Sequence, residues 1–171
     1  MENKLFKPVL SALFAAIICV ATFIIQIPIV ATGGYINLGD CFVLLGGILL
    51  GPVYGFLAAA IGSAIADILF GYFLYAPATF IIKGVMALLF GAAFYRRKAK
   101  ISILNLLLFG ILSEAVMVLG YFLYECFVLF YGLGAAAAIP GNTIQAVAGI
   151  FINTALVLVI KKIPKLKSLI N

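Results

Sequence analysis

Nine side chains of this sequence have the chemistry to hold a polar organic molecule: Tyr35, Asn37, Asp40, Lys83, Glu114, Tyr121, Glu125, Asn142 and Gln145. They occur where polar groups are expensive. Four of the five acids, all except Glu2, lie within or at the edge of long apolar segments, with Lys83 as their only basic companion. A charge at the centre of a membrane helix costs about 2.5–3.5 kcal/mol on insertion scales, so these residues need partners or water. Amides, carboxylates, phenols and one ammonium offer donors, acceptors and flat apolar faces to a ring-shaped ligand. Nothing asks for a cofactor or a metal. The chain has no His, and Cys19, Cys41 and Cys126 lack metal or redox spacing, so each reads as a small apolar filler.

Spacing groups these residues. The stretch Gly33 to Asp40 joins a long apolar run to a short one and contains Tyr35, Asn37 and Asp40. One reading is an interhelical turn with Asp40 as an N-cap; the other is a ligand-facing loop folding back into the membrane. Further on, Glu114, Tyr121 and Glu125 fall seven and four apart, on one helical stripe. Asn142, Gln145 and Gly149 share a face of the last helix, where Gly149 leaves room beside the two amides. All but Glu114, which lies deeper, belong to the outer half of the bilayer. Asp67 lies about one turn below the outer end of its span and Lys83 somewhat deeper in the adjacent one, so a pair between them is expected, either locking the two helices together or contacting ligand. Tyrosines 35, 72, 75, 121, 124 and 131 map to the same outer half. An interfacial aromatic belt accounts for Tyr72 and Tyr131, and a stacking wall is the alternative for Tyr35, Tyr75 and Tyr121.

The elements that must position them are membrane helices. Hydrophobic residues make up 67% of 171 positions and charged residues 9%, against about 25% charged in soluble domains. No long stretch alternates, which excludes an outer-membrane barrel. The first apolar run is as long as a full span and is not followed by an obvious cleavage site, so no cleavable signal is expected. The net charge of +6 does not point to nucleic acid, because the basic residues other than Lys83 form three clusters flanking apolar runs. These are Lys4 and Lys7; Arg96, Arg97, Lys98 and Lys100; and Lys161, Lys162, Lys165 and Lys167. The positive-inside rule places all three in the cytoplasm, which requires an even number of crossings.

The expected spans are about 8–27, a short run 40–50, 53–73, 78–95, 101–131 and 141–160. The second covers only about half of a 30 Å core. The fifth is too long for an upright helix, so it tilts or bends near Gly120. The expectation is an all-α integral membrane protein, a single domain over residues 1–171 built as a six-helix transmembrane bundle with both termini cytoplasmic. On the first span, Ala12 and Ala16 form a small-xxx-small pair, either packing inside the bundle or presenting a face to another membrane subunit.

Several short motifs follow one another in a familiar order: Tyr35-Ile36-Asn37-Leu38-Gly39-Asp40, the Gly51-Pro52 turn, the run Gly62 to Asp67, Pro77 with Ile82-Lys83-Gly84, and Pro140-Gly141-Asn142-Thr143-Ile144-Gln145. In this order they resemble the substrate-binding S components of energy-coupling factor (ECF) vitamin transporters, in the branch with riboflavin-, pantothenate- and pyrimidine- or pyridine-vitamin-type members. The likeness covers nearly the whole chain. It implies a plasma-membrane protein that binds a vitamin or vitamin precursor near the outer surface, with the loop after helix one as a lid. It also implies association with a transmembrane coupling subunit and two cytoplasmic ATPases, with Ala12 and Ala16 at the coupling face. The chain has no P-loop, so ATP hydrolysis belongs to partners. Four embedded acids against Lys83 suit a neutral or donor-rich ring, such as hydroxymethylpyrimidine or pyridoxine, better than an anion.

The alternative is a stand-alone secondary transporter using Glu114 or Glu125 as a proton relay, which the absence of inverted repeats disfavours. An intramembrane enzyme would need Glu114 and Glu125 to cooperate, yet three helical turns, about 16 Å, separate them. A purely structural subunit would have no use for so many embedded polar groups.

Overall fold

The computed structural model describes residues 5–30, 32–95 and 101–163. Six α-helices carry the fold: α1 (Phe6–Ile24), α2 (Gly39–Leu50), α3 (Pro52–Leu69), α4 (Ala76–Tyr95), α5 (Ile103–Leu123) and α6 (Ile139–Lys162). All but α2 are long and apolar enough to cross a membrane. Large apolar side chains such as Leu13, Val20, Ile61, Leu112, Leu119 and Phe151 face outward, while Asp40, Asp67, Lys83, Glu114 and Glu125 are buried. That inversion is what a hydrocarbon solvent selects, because lipid tails tolerate exposed leucine and reject an unpaired charge.

Helix α2 is the axis of the bundle. It spans 12 residues and has ten of them buried. Backbones approach it closely because the contact positions are glycines. A Cβ on Gly47 would lie 2.5 Å from the Ala87 carbonyl oxygen of α4, and one on Gly55 of α3 would lie 2.8 Å from Gly47 Cα. Small residues at such crossings are what association in lipid requires. The α2–α3 corner is made by Gly51 at φ 80°, a conformation that favours glycine, followed by Pro52 in the first turn of α3.

Between α1 and α2 the chain forms a two-stranded antiparallel hairpin, β1 (Gln26–Ile29) and β2 (Gly34–Asn37), with Pro28 opposite Tyr35 and Gln26 opposite Asn37. The amides of Thr32 and Gly33 donate to the Ile29 carbonyl at 3.2 and 2.9 Å, and Gly33 sits at φ 70°. No strand was expected here from the sequence, and β2 ends at Asn37, two residues before α2 begins at Gly39. With only two strands, each presents an edge, and Pro28 removes one donor from β1.

The fifth span is not interrupted at Gly120 itself. Helix α5 runs through that residue, whose missing Cβ leaves space for Ile82, and the irregularity comes one turn later as a π-helical turn, Tyr124–Val128. A short 3₁₀ segment, Gly132–Ala138, then leads into α6 where an irregular outer loop was expected. At the end opposite the hairpin, Lys7 Nζ lies 5.9 Å from the Tyr95 ring centroid and Lys161 Nζ donates to the Ile101 carbonyl at 2.8 Å. The start of α1, the end of α4, the start of α5 and the end of α6 thus share one side. Of the three basic clusters, Lys4, Arg96, Arg97, Lys98, Lys100, Lys165 and Lys167 lie outside the described residues.

Candidate functional site

The polar side chains converge beneath the hairpin. Asn37 on β2 uses its side-chain oxygen to accept from the Gly39 amide at 2.8 Å, which shapes the entry into α2. Its own backbone N–H donates to Gln145 Oε1 on α6 at 2.7 Å. Gln145 Nε2 in turn donates to Asp40 Oδ2 at 2.6 Å, and Lys83 Nζ of α4 forms a buried ion pair with Asp40 Oδ1. One chain of hydrogen bonds therefore runs from hairpin to α6 to α2 to α4. Asp40 is not an N-cap: it lies inside the first turn of α2, 0% exposed, where the helix dipole also favours its charge.

This arrangement corrects the expected pair between Asp67 and Lys83. Lysine 83 is committed to Asp40, and Asp67 Oδ1 instead accepts from the Tyr35 hydroxyl at 2.5 Å. The reason is reach across the bundle: a carboxylate on the central helix was available to Lys83, and sequence distance gave no sign of it. Gly149 also serves another purpose than expected. A Cβ there would fall 2.8 Å from Glu114 Oε1 and 3.1 Å from Asp40 Cβ, so the glycine makes room for two acids and not for the amides.

Above this network lies a cavity lined by the hairpin and every helix except α2: Thr22 of α1, Ile29, Gly34, Tyr35 and Asn37 of the hairpin, Ser63 and Asp67 of α3, Tyr75, Thr79 and Lys83 at α4, Tyr121 and Glu125, and Asn142 and Gln145 of α6. Seven of the nine expected site residues line it. Asp40 and Glu114 do not; they are buried behind the lining, Asp40 bonded to Lys83 and Gln145 and so supporting the cavity floor, and Glu114 with oxygens that lack a hydrogen-bond partner among the described residues. The space amounts to about 30 Å³, whereas ligand pockets usually span about 300–1,000 Å³. A ring-sized guest requires the hairpin or the tyrosines to move outward.

A row of phenols roofs the cavity. Ring centroids of Tyr35 and Tyr72 are 4.6 Å apart, Tyr72 and Tyr75 6.5 Å, and Tyr75 and Tyr121 6.4 Å. Tyr72 thus belongs to this row as well as to the interfacial region, while Tyr131 is exposed as a belt residue would be. Tyr75 donates from its hydroxyl to the Thr32 carbonyl at 2.8 Å and stands 3.0 Å from Glu125 Oε1, tying the hairpin to the π-helical turn. Burial, with the Asp67 charge second, pushes the Tyr35 phenol well above its usual range; burial and then Glu125 do the same for Tyr75. Both remain protonated hydroxyls at physiological pH. Tyr121 bonds Thr79 Oγ1 at 2.9 Å and places its ring 5.5 Å from Lys83 Nζ, a cation–π distance.

Thr22, Ser63, Thr79 and Asp67 were absent from the expected site. Their signal was present in part: Ser63 with Asp67, and Thr79 with Lys83, are four apart, the spacing that grouped Tyr121 with Glu125. Thr22 carried none, since a threonine near a helix end is ordinary. On the opposite flank, Ala12 and Ala16 are exposed and line an apolar groove of about 590 Å³ between α1 and α3, so they are not packed inside the bundle.

A sequence model of the family "ECF-type riboflavin transporter, S component" matches residues 2–162. The chain belongs to this family. It is accordingly a multi-pass, substrate-binding membrane subunit of an ECF transporter. Among curated relatives, an "uncharacterized protein in gap 3'region" of Pyrococcus woesei is 37% identical over 145 residues, covering 85% of this S component and 95% of that protein. Among solved structures, the S component of a bacterial ECF transporter superposes with a TM-score of 0.63 at 24% identity, covering 95% of this chain and 96% of that one. That likeness establishes the shared fold.

Proposed function

We propose that this S component captures a vitamin or vitamin precursor of pyrimidine or pyridine type, such as hydroxymethylpyrimidine or pyridoxine, at the outer face of the plasma membrane. The observation that carries the reading is the convergence of hairpin, α3, α4, α5 and α6 side chains on one cavity under an aromatic row. Tyr35, Tyr121 and Tyr75 supply flat faces for a ring. Asn37, Asn142, Gln145 and Glu125 supply hydrogen bonds to its edge, and Asp40, Lys83 and Glu114 hold the floor. The hairpin is the lid, connected to the floor through Gln145.

Release inside then depends on a transmembrane coupling subunit and two cytoplasmic ATPases. Ala12 and Ala16, exposed on the apolar flank of α1, are the contact for the coupling subunit. The test has two parts. The small molecule that copurifies with the protein identifies the ligand, and Asn37→Ala, Lys83→Ala and Asn142→Ala are expected to weaken its binding. Uptake in cells is expected to stop without the ATPases. Uptake by proteoliposomes holding only this chain, driven by a proton or sodium gradient, refutes the proposal in favour of a secondary transporter.

A further inference from the structure

Two acids on different elements face the cavity, and among the described residues neither forms a salt bridge, although the Lys83 charge is felt at Asp67. Asp67 of α3 and Glu125 of the π-helical turn are each 2% exposed and line the void. One oxygen of each lies within hydrogen-bond distance of a tyrosine hydroxyl, Tyr35 at 2.5 Å from Asp67 and Tyr75 at 3.0 Å from Glu125, the Tyr75 proton being shared with the Thr32 carbonyl. The other oxygen of each, Asp67 Oδ2 and Glu125 Oε2, is buried with no hydrogen-bond partner among the described residues. The neighbouring hydroxyls are Thr79 beside Asp67, itself engaged with Tyr121, and Thr32 beside Glu125. The one lysine on the wall, Lys83, is already neutralised by Asp40. Among the described residues the wall therefore carries more acidic groups than basic ones, with unfilled acceptor oxygens at two places joined by the row of tyrosine rings.

Buried carboxyl oxygens without donors are costly, and charge-assisted hydrogen bonds from a ligand are the strongest remedy in a dry site. An anionic ligand would add a third acidic group beside Asp67 and Glu125, and among the described lining residues the one ammonium, Lys83, is already paired with Asp40. We infer that the pocket selects a flat heterocycle bearing a positively charged amine, with hydrogen-bond donors at two ends, and that Asp67 and Glu125 are the charge-selecting residues. Lys83 is in this arrangement a positioning residue for Asp40 and not a receptor for a carboxylate. The inference rests on the proposed vitamin-binding reading and narrows it within the pyrimidine and pyridine class, from alcohols such as hydroxymethylpyrimidine or pyridoxine to their amine counterparts; a ring without a donor-bearing amine, riboflavin included, would leave the acceptors of Asp67 and Glu125 unfilled.

The experiment measures binding of ligands matched in ring and differing in one substituent, by titration calorimetry on the full chain in nanodiscs. One series is pyridoxamine, pyridoxine and 4-pyridoxate; the second is 2-methyl-4-aminopyrimidine carrying a 5-aminomethyl, 5-hydroxymethyl or 5-carboxyl group; riboflavin is the neutral comparator. The expected order in at least one series is amine, then alcohol, then carboxylate, with about tenfold or more between the ends. Asp67→Asn and Glu125→Gln are expected to compress that order, with Asn and Gln keeping the shape of the site. Because the order is read first on the unmutated protein, a variant that fails to fold does not remove the test. A ring that binds with a flat or reversed order, or riboflavin binding tighter than every amine, overturns the charge selection while the vitamin-binding reading stands. Binding of none of these rings overturns both.

Discussion

Removing the ammonium of Lys83 tests the centre of the site, because Asp40, 0% exposed, would then keep Gln145 as its side-chain donor among the described residues. Breaking a buried pair by deleting one partner costs about 3–5 kcal/mol. The position of Asp40 in the first turn of α2 offsets about 1 kcal/mol of this through the helix dipole, so Lys83→Met is expected to destabilise by about 2–4 kcal/mol. Methionine keeps most of the stem's packing, so the loss reports the charge. The double variant Lys83→Met with Asp40→Asn removes both charges while leaving an amide oxygen for Gln145 Nε2, and should recover most of the loss, ending within about 1 kcal/mol of the parent. The assay is equilibrium unfolding in mixed micelles, read as a double-mutant cycle, with Lys83→Met combined with Asp67→Asn as the control. A single variant costing under about 1 kcal/mol, or rescue by Asp67→Asn in place of Asp40→Asn, would show that the lysine's counterion is the one first expected from the sequence.

Gly149→Ala places a methyl 2.8 Å from Glu114 Oε1 and 3.1 Å from Asp40 Cβ; overpacking of this kind costs about 1–3 kcal/mol and should lower the thermal midpoint, and an unchanged midpoint would mean the floor is loosely packed. Gln145→Ala removes the acceptor of the Asn37 amide and a donor to Asp40, so hydrogen exchange of Asn37 should accelerate while amides in α3 stay protected; equal acceleration in both would indicate global loosening instead of release of the hairpin. Ala12→Leu or Ala16→Leu, on the exposed side of α1, should weaken copurification with the coupling subunit and leave vitamin affinity nearly intact. If both properties fall together, that face serves the fold and not the partner.

The amount of apolar sequence, the placement of its charges and the order of its short motifs were enough to indicate a six-helix membrane bundle of the S-component family. Helix spacing alone grouped Glu114 with Tyr121 and Glu125, and Asn142 with Gln145, because residues on one helix keep a fixed period whatever surrounds them. Lipid makes this legible: every buried charge must be accounted for, so a polar residue in an apolar run marks the interior without any structure. Contacts between helices follow no such period. Whether Lys83 met Asp67 or Asp40, whether Gly149 accommodated amides or acids, and whether Ala12 faced the bundle or its surroundings depended on how six cylinders were rotated against one another, which the packing of Gly47, Gly55 and Gly91 around α2 determines. The hairpin was equally hidden, since four residues per strand carry too little pattern to outweigh an apolar background. Sequence supplied the groups and their depth; the tertiary structure chose their partners, because a salt bridge or hydrogen bond exists only at a distance of a few ångströms that no single helix can set.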